Sequence, residues 1–207
     1  SRVFAARTCM MAGVGLTGVF LWYLVRFWVY GKAVVLTSAP LTIPAGFLIA
    51  GMAVATLIGA ALASWAAGPI SERIEEKNIP VARVVAGACL LYAAGLALAW
   101  GLGVWSTGTA RENGMLLFAL ISGFAFGVYD SLGLELVMDS LPDPRRAGHD
   151  LGIYALANSA GLALAAIIGA LLVNAFEHSF GYYLLFPSAI VMVLLAGIVT
   201  LTTKSAE

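Results

Sequence analysis

Six stretches of mostly apolar residues, each about as long as a bilayer crossing, recur along this chain, and nothing else limits its fold as strongly. A spanning helix needs about 20 such residues. The stretches cover 9–30, 43–65, 84–105, 115–138, 151–175 and 183–201. They are continuously apolar rather than alternating, and too long for barrel strands. Of the 207 residues, 61% are hydrophobic and 11% charged, against about 25% charged in a soluble domain. Eleven Lys plus Arg balance eleven Asp plus Glu. These figures exclude a disordered chain, a nucleic-acid binder relying on bulk positive charge, and a water-soluble globule. The expected fold is an all-α membrane protein, a single six-transmembrane-helix bundle over 1–207 with lipid as its main solvent.

The connections between spans are short and carry turn residues: Tyr30-Gly31-Lys32, Ala39-Pro40, Lys77-Asn78-Ile79-Pro80, residues 106–113, and Leu141-Pro142-Asp143-Pro144. Orientation follows from Lys and Arg. One side holds Arg2, Arg7, Arg73, Lys77, Arg83, Arg145, Arg146 and Lys204, eight in all; the other holds Lys32, Arg111 and Arg26. That bias places both termini in the cytoplasm. The chain begins at Ser1, and its first span is too long for a cleaved signal peptide, so a processed chain or a piece of a longer one is expected. Cys9 and Cys89 fall inside spans and form no disulfide framework, and no Cys/His spacing points to a metal. His149 and His178 are expected in loops, as interfacial residues. No cofactor is expected.

Helices in lipid associate by close packing, and small residues mark the faces that touch. Span 2 carries Gly51, Ala55, Gly59 and Ala63; span 5 carries Ala157, Gly161, Ala165 and Gly169; span 4 carries Gly123 and Gly127; span 1 carries Gly13, Gly15 and Gly18. Plain bundle packing explains any single row. Together the rows describe helices able to slide or rock.

An ionisable residue at membrane depth is costly and so points to function. Asp130 is the deepest, about 5 Å along the axis from the middle of span 4. It borders the Gly127 face rather than lipid. A carboxyl held there among protein neighbours is costly to ionise, so it can exchange a proton, as proton coupling requires. The other reading is a structural carboxyl bonded through Tyr129 or Ser131. Glu135, one turn on, either lines a cavity or snorkels inward. Asp139 ends the span and is read as an interfacial partner of Arg145 or Arg146. Arg26 lies in the aromatic run Trp22-Tyr23-Leu24-Val25-Arg26-Phe27-Trp28; it snorkels to the outer interface or contacts a solute there. Asn158, beside the small row of span 5, bonds either a neighbouring helix or a ligand. Asp130, Glu135, Asn158, Tyr129 and Arg26 are the candidate proton and substrate pathway.

Two connections are motif-like. After span 2 the chain reads Gly68-Pro69-Ile70-Ser71-Glu72-Arg73-Ile74-Glu75-Glu76-Lys77, with Arg83 opening the next helix. After span 4 it reads Val137-Met138-Asp139-Ser140-Leu141-Pro142-Asp143-Pro144-Arg145-Arg146-Ala147-Gly148, followed by Ala157-Asn158-Ser159-Ala160-Gly161. Here the chain resembles the C-terminal six-helix half of the major facilitator superfamily, in the bacterial branch related to sugar–cation symporters. Arg7 and Tyr23 also fit the first helix of that half. The resemblance implies that Gly68 permits close approach, that Glu72 stands where Asp is usual with Arg73 as its charge partner, and that Asp139, Arg145 and Arg146 complete the cytoplasmic gating loops. Gly133 stands where the related branch would carry an acid.

What the resemblance implies is half of a proton- or cation-coupled secondary transporter for a small solute, a symporter working by alternating access, in a bacterial cytoplasmic membrane. Its partner would be a second six-helix half, either an N-terminal half or another copy. The alternative is a non-transporting accessory or scaffold subunit of a larger membrane complex. An enzyme is not expected: there is no nucleophile–base constellation and no phosphate loop.

Overall fold

A computed structural model describes residues 2–30, 43–105, 108–139, 147–176 and 178–202. Every regular element among them is helical. The chain opens with α1 (Arg2–Gly18), a one-turn α2 (Leu21–Leu24) and a π-helical turn (Val25–Val29). Five long helices follow: α3 (Ile43–Glu76), α4 (Val81–Trp105), α5 (Thr109–Asp139), α6 (Ala147–Ala175) and α7 (His178–Leu201).

These last five are long and apolar enough to cross a membrane. The first expected span differs. Gly13, Gly15 and Gly18 weaken its helix, each by about 1 kcal/mol relative to Ala, and the backbone leaves the helix at Val19 and Phe20 before resuming. The single span expected over 9–30 is therefore three consecutive pieces, and it begins earlier, at Arg2.

The connection expected around Gly68–Lys77 is a second correction. Helix α3 continues through it to Glu76, with Pro69 inside the helix. A turn begins only after that. Ile79 N–H donates to Ile74 C=O at 3.0 Å and Asn78 N–H to Glu75 C=O at 3.2 Å, with Asn78 at φ 50°. That is a Schellman cap with Asn in the left-handed position, and Pro80 follows where the helix cannot continue. The expected connection over 106–113 is shorter too: Gly108 (φ 60°) precedes α5, so Arg111, Glu112 and Asn113 are helical. His149 and His178 also lie in helices, in the first turns of α6 and α7, rather than in loops.

Packing follows a row. Helix α5 lies between α3 and α4, α1 lies between α6 and α7, and α4 packs on α7 to join the two triplets. Exchanging α1 with α5, α3 with α6 and α4 with α7 reproduces these principal neighbours. Helices α1, α3 and α4 thus repeat as α5, α6 and α7, and because α1 and α5 run in opposite directions the repeat is inverted. Helices α3 and α6, at the ends of the row, each bury 22% of their spanning window, against 50% for α4 and α5.

The small-residue rows sit at the crossings. A Cβ on Gly59 would strike the backbone of Leu120 and Phe124, and one on Gly123 would strike the backbone of Thr56, so α3 and α5 touch main chain to main chain. The equivalent crossing of α6 and α1 uses Gly161, whose Cβ would lie 2.7 Å from Thr8 O, and Gly15, 2.6 Å from Ala165 Cβ. Hydroxyls at these levels are satisfied within their own helices: Thr56 donates to Met52 O at 2.9 Å and Thr8 to Phe4 O at 2.9 Å, as a water-free interior demands.

Candidate functional site

Arg7 is the centre of the polar interior. It lies in α1 between Ala6 and Thr8 and is only 5% exposed. A buried charge costs several kcal/mol unless it is paired. Its partners come from two other helices. Arg7 Nη1 lies 2.6 Å from Asp130 Oδ1 of α5, and Arg7 Nε donates to Asn158 Oδ1 of α6 at 2.7 Å. Three rings surround the guanidinium: Tyr154 at 5.1 Å, Phe126 at 5.6 Å and Tyr129 at 5.7 Å from Cζ to centroid. Cation–π contacts of this kind reach about 2 kcal/mol when desolvated.

Helical spacing explains the convergence. Phe126 and Asp130 are four apart on α5, and Tyr154 and Asn158 are four apart on α6, so each pair shares a face. The Gly161 contact with Thr8 and Ala12 brings α6 close to α1 one turn away. Asn158 is thereby within reach of Arg7.

The two members of the ion pair differ in environment. The Arg7 side chain is 6% exposed and that of Asp130 is 54% exposed. Although Nη1 and Oδ1 are in ion-pair contact, the carboxylate oxygen lies off the N–H directions. Nη1 is therefore buried without an aligned hydrogen-bond acceptor among the described residues. Beside the rings, Tyr129, Gly133, Tyr154 and Thr200 help line a small space of about 10 Å³, enough for about one water.

The expected residues are distributed unevenly around this site. Asp130, Asn158 and Tyr129 converge on Arg7. Asp130 is not bonded through Ser131, whose hydroxyl donates to Gly127 O at 2.9 Å. Nor is it enclosed to the degree anticipated. Arg26 lies away from the cluster, half-buried in the π-helical turn that ends the first segment. Glu135 and Asp139 belong to α5, but their side chains lie outside the described residues, as do Arg145 and Arg146.

The expected first gating loop is corrected in two respects. Among the described residues, a Cβ on Gly68 would meet nothing within 4 Å, so none of them approaches it closely. Glu72 and Arg73 are exposed and successive on a helix, and neighbours at that spacing do not face each other. Arg7 itself was assigned to the cytoplasmic charge count. Its removal leaves seven against three, so the bias keeps its sign. A signal for its true place existed: Arg7 is followed by a long uncharged run, on a helix that needs its small residues for contact.

At the opposite end of the bundle, Tyr30, Phe47, Glu112 and Asn113 help line an open pocket of about 330 Å³. The Tyr30 hydroxyl is within hydrogen-bonding reach of the Glu112 carboxylate.

Five helices long and apolar enough to cross a membrane, with a charged cluster spanning α1, α5 and α6, define a multi-pass membrane protein. The family model of the Major Facilitator Superfamily matches residues 45–207, and the chain belongs to that superfamily, whose general activity is secondary transport. The match begins after the segment that carries Arg7. No curated protein and no solved structure matches the chain.

Proposed function

We propose that the chain is one six-helix half of a proton- or cation-coupled secondary transporter for a small solute, with Arg7, Asp130 and Asn158 as its coupling site. Alternating access would take place against a second half, either an N-terminal half or another copy. The observation that carries this reading is the asymmetry of the ion pair. A carboxylate more than half exposed at membrane depth cannot face acyl chains; it requires water or a polar partner beside it. That favours an aqueous cavity on this face. The pair also ties α5 to α1, so its making and breaking is linked to movement between repeats.

The test is uptake driven by an imposed proton or sodium gradient. Asp130→Asn is expected to abolish coupled uptake while circular dichroism stays helical, because Asn keeps an acceptor for Arg7. Full-rate coupled uptake in that variant would end the proposal. Isolation of a stoichiometric complex with an unrelated membrane protein, without uptake, would replace it with a scaffold role.

A further inference from the structure

We infer that the Arg7 site takes a small organic monocarboxylate, which replaces the Asp130 carboxylate on the guanidinium while Asp130 takes up a proton. This rests on the coupling site proposed above and names the class of solute that it holds.

Four observations carry the inference. Arg7 is the cation, and its burial at 5% exposure means that some anion must always accompany it. Its Nη1 touches Asp130 Oδ1 at 2.6 Å without an aligned hydrogen-bond acceptor among the described residues, so a better-placed oxygen can take that donor once Asp130 withdraws. The anion now present, Asp130, is the exposed member at 54% and can withdraw without a core rearrangement. Asn158 already holds Nε, which fixes the guanidinium plane and presents its remaining edge for a planar, two-oxygen acceptor.

The rings decide the rest of the chemistry. Phe126, Tyr129 and Tyr154 flank the guanidinium and offer an apolar wall to the body of an organic acid. The space beside them, about 10 Å³, admits no solute, so entry is from the Asp130 side. Among the described residues Arg7 is the cation at this site, and it sets the charge. A monocarboxylate leaves the site neutral, whereas a dianion would leave one negative charge uncompensated at low dielectric.

The exchange balances. The Arg7–Asp130 contact breaks, a contact between Arg7 and the solute carboxylate forms, and one proton from water joins Asp130. One anion and one proton enter together, so the site's net charge is unchanged. Among the described residues, the titratable groups facing Asp130 are Arg7 from α1, Tyr129 from its own helix and Tyr154 from α6, with Cys89 of α4 behind Tyr129. Where α3 contacts the Gly127 turn it presents Ala60 and Ala63, which do not titrate. Among these described groups Arg7 is the cation.

Titration calorimetry on the purified full chain tests this, with benzoate and lactate as probes and glucose, tetramethylammonium and inorganic phosphate as comparisons. Runs in two buffers of different ionisation enthalpy give the proton count. We expect carboxylate binding with about one proton taken up per site. Asp130→Asn should bind benzoate about tenfold more tightly, with no proton uptake, since the competing anion is gone. Arg7→Lys keeps a charge but loses the planar fork and should bind about tenfold more weakly; Arg7→Gln should lose about 100-fold. Absence of carboxylate binding in both the native chain and Asp130→Asn would overturn the inference. So would a proton count of zero in the native chain, or phosphate binding as tightly as benzoate. Uptake of a neutral or cationic solute that depends on Asp130, without benzoate binding, would sink the inference and leave the transport reading standing. Carboxylate binding as described, with no uptake in vesicles, would do the reverse.

Discussion

The two repeats pack alike and differ in chemistry. Helix α1 of the first crosses α6 of the second through Gly15 and Gly161, and the equivalent α5 of the second crosses α3 of the first through Gly123 and Gly59. Both crossings bring main chain against side chains or main chain of the neighbour, and both end-of-row helices bury the same 22% share. Yet α1 supplies a buried cation, α5 an exposed anion. Because the repeat is inverted, equivalent positions lie on opposite sides of the membrane, so a pair formed near one side has no symmetric copy. Symmetry here belongs to the scaffold, and the chemistry departs from it.

The largest effects should come from breaking the shared feature. Gly123→Val and Gly161→Val each push a side chain into a neighbouring backbone that cannot yield, and each should cost about 3 kcal/mol or more, or prevent folding. Unfolding by denaturant in detergent measures both. If the repeats are mechanically equivalent the losses will be similar; a neutral Gly161→Val would show that only the α3–α5 crossing is rigid.

The difference between repeats predicts an asymmetry. Asp130→Ala strands the buried Arg7 charge and should cost about 3 kcal/mol. Replacing both, as Arg7→Gln with Asp130→Ala, should cost less than the sum of the single changes, read as a coupling energy in a double-mutant cycle. Asn158→Leu removes only the Nε acceptor and should cost about 1–2 kcal/mol. Gly87→Ala gives the smallest effect. A Cβ there meets nothing within 4 Å, so stability should change by under about 1 kcal/mol, in the stabilising direction. A large loss at Gly87 would mean that another chain covers that face.

Particular residues show how far the sequence could be read. The run of apolar residues gave α4 through α7 nearly to their ends, because hydropathy over twenty residues is a sum that no single contact reverses. The small rows named contact faces at Gly59, Gly123 and Gly161, which lie at crossings, but not at Gly18, where a Cβ would meet nothing within 4 Å among the described residues. Gly68 marked none either: a glycine is the same letter whether something approaches it or not. The turn at Asn78 and Pro80 was legible, whereas the helix running through Pro69 was not. Asp130 and Asn158 stood out by being polar at depth. Arg7 did not stand out as a site residue, because a charge near a chain end satisfies an interfacial reading equally well.

The amino-acid sequence by itself determined that this protein lives in lipid, as helices, with polar groups at a few depths, since each of those follows from local composition and period. Only the tertiary structure decided which polar groups meet. Arg7 and Asp130 are far apart in the chain, and their contact exists because glycine crossings set three helices at the distances where one guanidinium can reach a carboxylate and an amide at once. Pairing at that range is a property of packing geometry, which no local pattern records.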